Sequence, residues 1–214
     1  MRSWPSSGSG SCSSTGSSST SRSSGCTATR EEAKNLRLFV AIYPPAEIAS
    51  SLSNSLGELE LPEHRRVPVE QIHLTLLFLG DTTPRQLDAT GESIRRASAG
   101  LGPFQLGPLR LITLPPRGRA RLVAAETDAP ATLLEIQRRL ASRLARAPRK
   151  EGGRFRPHLT LCRFRTPSRV APLEEPLSVP AFGVNRIVLM RSTLSPQGAR
   201  HEEVASFGLA PVKT

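Results

Sequence analysis

Aromatic side chains are scarce in this 214-residue chain, with seven Phe, one Tyr and one Trp. That is too few for an extended stacking platform along single-stranded nucleic acid. Cysteine is scarcer still: Cys12 and Cys26 lie in a Ser-rich stretch and Cys162 stands alone. No disulfide framework or paired-cysteine zinc pattern can be assembled from them, which fits a reducing compartment. No apolar run approaches the ~18 residues needed to cross a bilayer, and the first 30 residues lack the apolar core of a secretory signal. The expectation is a cytoplasmic protein that makes no membrane contact. Lysine is nearly absent, present only as Lys34, Lys150 and Lys213, so the 29 basic residues are almost all arginine.

Those 29 basic residues stand against 18 acidic ones, a net charge of +11. Arginine forks suit phosphate, and the balance points to an anionic partner. A composition rich in Ala, Arg, Pro and Leu together accounts for the same bias, so charge alone does not settle function. Residues 1–35 are mostly Ser, Gly and Thr, with no acidic residue before Glu31. Such a stretch buries too little to offset its ordering entropy and is expected to be disordered; a transit segment or a misassigned start are the other readings. Residues 36–214 are expected to form a single domain, which keeps a net charge of +9.

The body opens on Leu36-Arg-Leu-Phe-Val-Ala-Ile42, an apolar β-rich run closed by Tyr43-Pro44-Pro45. Ile48, Leu52, Leu56 and Leu59 then recur at helical spacing from Ala46 to Leu61, where Pro62 ends the segment. A strand is expected over Gln71–Leu79, stopped by Gly80-Asp81, and a helix over Pro84–Ala99. The second half repeats the order: a strand over Arg121–Glu126, a helix opened by Pro130 and running through Leu144, and a strand over Arg156–Phe164. Short strands are expected over Phe104–Leu114, Arg186–Arg191 and Val204–Leu209, with Pro115-Pro116 and Ser195-Pro-Gln-Gly198 as turns. Leu38 precedes His73 by 35 residues and Leu122 precedes His158 by 36, so one strand-helix-strand unit is used twice. One crossover helix per unit indicates an α+β fold of two lobes about a pseudo-twofold axis.

Each unit carries the same four residues, His73-Leu74-Thr75-Leu76 and His158-Leu159-Thr160-Leu161. Alternation along a strand sets Ile72, Leu74, Leu76 and Phe78 on one face and His73 and Thr75 on the other. In the second copy Arg156, His158, Thr160 and Cys162 share a face, and Arg163 falls on the core side. A single copy describes an ordinary strand; two copies at matched spacing do not. One imidazole can take a proton from water while the other gives one to a leaving oxygen, since the free value near 6.5 allows both forms at neutral pH. Thr75 and Thr160 are placed to donate to phosphoryl oxygens as charge builds, and Arg156 to bind an anionic substrate. Neither motif has further ligands at metal spacing, so no metal and no cofactor is expected. Cys162 has no orienting group and is expected to be an inert buried thiol. Gly152-Gly153 precedes a strand, so no phosphate loop is available.

These motifs resemble the hallmark of the two-histidine (2H) phosphoesterases. Arg37–Ile42, Val67–Leu76, Leu79-Gly-Asp81, Phe155–Leu161 and Leu194–Arg200 are similar to the bacterial and archaeal RNA 2',3'-cyclic phosphodiesterases, also called 2'-5' RNA ligase-like proteins. The likeness runs from about Leu36 to Leu209. It implies a LigT-like fold of two antiparallel sheets with outer helices around a central cleft. It implies a hydrolase that opens RNA-terminal 2',3'-cyclic phosphodiesters to 2'-phosphomonoesters, with His73 as proton donor and His158 as acceptor. Arg156, Arg163 and Phe155 would contact substrate. Relatives often carry an arginine after the first motif on the histidine face, where this chain has Leu77, and a tyrosine where it has His201. The implied partner is RNA with a 2',3'-cyclic phosphate end, met by a monomer with no obligate protein partner. The alternatives are a phosphoesterase or reversible ligase on 2'-5' linked oligonucleotides or small cyclic nucleotides, and a non-catalytic RNA-binding module.

Overall fold

In the computed structural model the described residues are 35–57, 59–145, 155–195 and 198–211. The expectations for residues 1–34, for Gly152-Gly153 and for the Pro196-Gln197 turn lie outside them. Chain order is β1 (Leu36–Ile42), α1 (Ala46–Asn54), β2 (His64–Arg66), β3 (Leu74–Thr82), α2 (Leu87–Ser98), β4 (Phe104–Leu106), β5 (Pro108–Leu114) and β6 (Ala120–Thr127). It continues with α3 (Ala131–Leu144), β7 (His158–Ser168), β8 (Glu174–Pro176), β9 (Phe182–Val184), β10 (Arg186–Ser195) and β11 (Gly198–Gly208). Short 3-10 turns at Val69–Gln71 and Pro84–Gln86 precede β3 and α2.

The architecture is α+β, as expected, with three helices and two antiparallel sheets among the described residues. The large sheet runs β11-β10-β1-β3-β7-β6-β5-β8, with β2 added to β7, and β4 pairs with β9 in a small second sheet. The repeat is visible in this order. β10-β1-β3 on one side mirrors β5-β6-β7 on the other, and the two units meet at β3 and β7. The join is narrow: Leu74 opposite Leu159 is the one registered pair of that junction. Beyond it β7 takes β2 instead, through His64, Arg65 and Arg66 opposite Phe164, Arg163 and Cys162.

β1 is buried on both faces. Leu38, Val40 and Ile42 enter the main core with Leu52, Leu74, Val123, Leu133, Ile136 and Leu159. Phe39 and Ala41 form a second, smaller cluster with Val188 and Met190 on the opposite face. Helix α3 packs on β3 and on α2, covering the main-core side.

Several boundaries differ from expectation. Helix α1 stops at Asn54 rather than near Leu61, because Ser53, Asn54, Ser55 and Gly57 are poor helix formers. Leu56 still reaches the core through the turn. Phe104–Leu114 is two strands, since Gly107 separates β4 from β5 and its N–H is taken by Asp128 Oδ1 at 2.9 Å. Gly80-Asp81 does not end β3: Gly80, at φ +68°, sits within the strand and pairs with Leu38. Strands β7, β10 and β11 all run longer than their apolar cores suggested.

Candidate active site

Leu74 and Leu159, both fully buried, anchor the junction from the core side. His73 and Thr75 flank Leu74, and His158 and Thr160 flank Leu159, so the junction pair brings the two motifs side by side. All four side chains share the face opposite the main core and all are half-buried. The junction therefore brings both motifs into one patch.

Both imidazoles are held by the same device. His73 Nδ1 lies 2.7 Å from the carbonyl of Gln71, and His158 Nδ1 lies 2.8 Å from that of Arg156, each two residues earlier in the chain. A carbonyl only accepts, so each Nδ1 carries the hydrogen and donates it. Nε2 is then the proton-exchanging atom of both rings.

Their surroundings differ. Ile42 pairs with Leu74, so the next residue, Tyr43, stands across from His73; the two rings stack at 5.3 Å. Phe39 lies 5.0 Å from His73, and His201 meets it edge-on at 5.0 Å. Tyr43 Oη approaches His201 Nδ1 at 3.4 Å. Burial in this aromatic enclosure pushes the His73 imidazole down to about 4, and the neighbouring His201, Arg163 and His158 also oppose a positive charge there. The corresponding neighbour of His158 is a carboxylate, since Glu126 pairs with it across β6 and β7. Burial lowers His158 too, helped by Arg156 and Arg163, while Glu126 works the other way. Glu126 is held ionised by the Arg156 guanidinium, with Arg110 on its second oxygen at 2.8 Å.

Two β-bulges correct the expected side-chain directions. Between Ala41–Thr75 and Val40–Leu77 the register slips at Leu76, and between Ala124–Thr160 and Val123–Cys162 it slips at Leu161. The fourth residue of each motif is thus the extra one, and alternation resumes out of phase. Phe78, expected in the core, is 71% exposed beside Phe39 on the histidine face. Leu77, expected on that face, packs against the main core. Cys162 points into the core and not beside His158, where burial pushes its thiol up. Arg163, assigned to the core side by strict alternation, is exposed and acts electrostatically on His73, His158 and His201 alike.

Of the other expected residues, Arg156 supports His158 through its carbonyl and holds Glu126 through Nε. Phe155 is half-buried against the main core. Sequence reasoning missed Phe39, Tyr43 and Glu126. Tyr43 directly follows β1 and Glu126 lies near the end of β6, and it is strand register that brings each beside a motif histidine. Beyond Tyr43 a cleft of about 510 Å³ continues, lined by Pro44, Glu70, Val188, Met190 and Glu203 among others. No group of three or more His, Cys, Asp or Glu arranged to hold a metal occurs among the described residues.

The model of the 2'-5' RNA ligase superfamily matches residues 44–195. This chain belongs to that family of two-histidine phosphoesterases. It is 30% identical over 186 residues to the RNA 2',3'-cyclic phosphodiesterase of Thermus thermophilus, covering 81% of this chain and 90% of the relative. The protein of that name from Aquifex aeolicus is 28% identical over 188 residues, covering 82% and 98%. Among solved structures, Escherichia coli LigT complexed with 3'-AMP superposes with a TM-score of 0.70 at 26% identity, covering 82% of this chain and 99% of LigT. Another from Thermus thermophilus gives 0.69 at 28%, covering 83% and 100%. The resemblance carried by the two motifs is therefore that of the whole body, and the LigT-like fold it implied is the fold observed.

Proposed function

We propose that this protein hydrolyses RNA-terminal 2',3'-cyclic phosphodiesters to 2'-phosphomonoesters, using its two histidines as acid and base. The observation that carries the reading is the paired junction itself: two imidazoles clipped in the same way through Nδ1, each two residues before a threonine, on strands joined at Leu74 and Leu159. Curated relatives named for this activity, from bacteria and archaea, support it.

His158 Nε2 accepts a proton from water as the water oxygen bonds to phosphorus. The bond from phosphorus to the 3' oxygen breaks, and His73 Nε2 gives that oxygen its proton. Thr75 and Thr160 donate hydrogen bonds to the non-bridging oxygens, and Arg163 offsets their charge. Glu126 keeps His158 in register and favours the imidazolium it becomes. An imidazolium as destabilised as that of His73 is a stronger acid than free histidine, which suits protonation of an alkoxide, and the anionic substrate stabilises it on arrival. The donor set supports a route that uses no metal: histidine, threonine and arginine supply acid, base and charge without a carboxylate or thiolate cluster. Arg156 serves this scheme by holding His158 and Glu126, and Phe155 by packing beneath the start of β7. The working form is taken to be a cytoplasmic monomer.

The test is incubation with an oligonucleotide ending in a 2',3'-cyclic phosphate, with chelator present, and identification of the product. A 2'-phosphate is expected. Loss of turnover on chelation would remove the metal-free route; RNA binding without turnover would leave a binding module. His73→Ala and His158→Ala are each expected to lower turnover at least ~10²-fold, with smaller losses for Thr75→Ala and Thr160→Ala.

A further inference from the structure

Arg65 of β2 stands directly opposite Arg163 of β7. Like charges in a cross-strand pair destabilise a sheet. Neither guanidinium has a carboxylate partner among the described residues; of the other arginines in or beside this sheet, Arg37, Arg66, Arg121 and Arg200 are likewise without one, but none of those faces another arginine across a strand pair. Arg165, two residues beyond Arg163, pairs with Glu63, and Arg110, Arg156, Arg186 and Arg191 pair with Glu126, Glu126, Glu203 and Glu202. The Arg65–Arg163 pair is left uncompensated at the one place where β7 leaves the catalytic junction.

Arg65 also meets the other unit. Its guanidinium packs against Gly198, at the start of β11, so closely that a Cβ there would collide with it. Gly198 has φ +121°, a backbone conformation that calls for glycine. The β10–β11 hairpin of one unit thus reaches the strand that extends the other, and carries His201 over His73 on the way.

We propose that Arg65 binds a second phosphate, that of the phosphodiester next to the cyclic end, so that the preferred substrate is an RNA terminus and not a mononucleotide. This rests on the reaction proposed above. Arg163, which acts on all three histidines, is nearest the reacting phosphate; Arg65 lies one strand further out, where the following phosphate of a chain would be. A guanidinium fork next to a second cation is the arrangement that recognises phosphate without regard to base.

The experiment compares Arg65→Gln with wild type on an oligonucleotide ending in a 2',3'-cyclic phosphate and on a nucleoside 2',3'-cyclic phosphate. The ratio of the two kcat/KM values is expected to fall by about tenfold in the variant, with a salt slope for the oligonucleotide shallower by about one. An unchanged ratio, whether through equal loss on both substrates or none on either, overturns the proposal. Binding of an oligonucleotide ending in a 2'-phosphate, read by fluorescence anisotropy, makes the comparison without turnover. If wild type turns over neither substrate but binding weakens about tenfold in the variant, the hydrolase reading fails and the second phosphate site stands. If binding is unaffected, the site fails.

Discussion

His73 and His158 share a carbonyl clip and differ in the residue across the strand, Tyr43 for one and Glu126 for the other. That difference, together with the packing of Phe39 and His201 against His73, breaks the symmetry of an otherwise duplicated site. It has a measurable pH signature. Under the proposed roles, the rate on free substrate depends on protonated His73 and neutral His158 in the free protein. His73 holds its proton only below about 4, and His158 loses its own below the ordinary value. As pH rises from 4 the donor form of His73 shrinks while the base form of His158 grows. The profile of kcat/KM is therefore expected to peak below pH 6.5 and to fall through neutrality. A maximum above pH 7 would show that these two imidazoles are not the acid and base pair that limits the rate. The profile of kcat is expected to lie to the alkaline side, because the bound phosphate favours the protonated His73.

The bulges matter most at the scale of the element, and they set the limit of what was legible in the sequence. Strand identity, helix identity and the placement of His73, Thr75, His158 and Thr160 followed from alternation and repeat spacing, since those residues precede the slip. Phe78, Cys162 and Arg163 follow it, and alternation reversed each of them. A bulge leaves no mark in a run such as Leu76-Leu77-Phe78-Leu79, where every residue is apolar and either phase satisfies a core. Tyr43, read as the end of a strand, gains its role only from the register with β3. Urea unfolding separates the phases. Leu79→Ala is expected to cost about 2–5 kcal/mol and Phe78→Ala no more than about 0.5 kcal/mol. Strict alternation requires the opposite order.

At the scale of the whole molecule, two strand-helix-strand units share one core and meet through Leu74 and Leu159. All four motif side chains hang on that pair. Leu74→Ala is expected to lower stability by about 2–5 kcal/mol. It is also expected to reduce turnover of the fully folded protein, up to ~10²-fold for a displacement near 1 Å. Denaturant titration and single-turnover assays below the transition separate the two effects. Retained turnover in the folded fraction would mean that the histidines are located by their own strands and not by the junction.

The narrowness of that junction has a kinematic meaning. A line between β3 and β7, parallel to the strands and passing between Leu74 and Leu159, is the natural axis for any rocking of one unit against the other, and points on an axis do not travel. Such motion sweeps the outer strands β8 and β11 through the longest arcs and leaves His73, Thr75, His158 and Thr160 nearly where they were. The rim can widen to release a product while the distance between proton donor and proton acceptor is conserved.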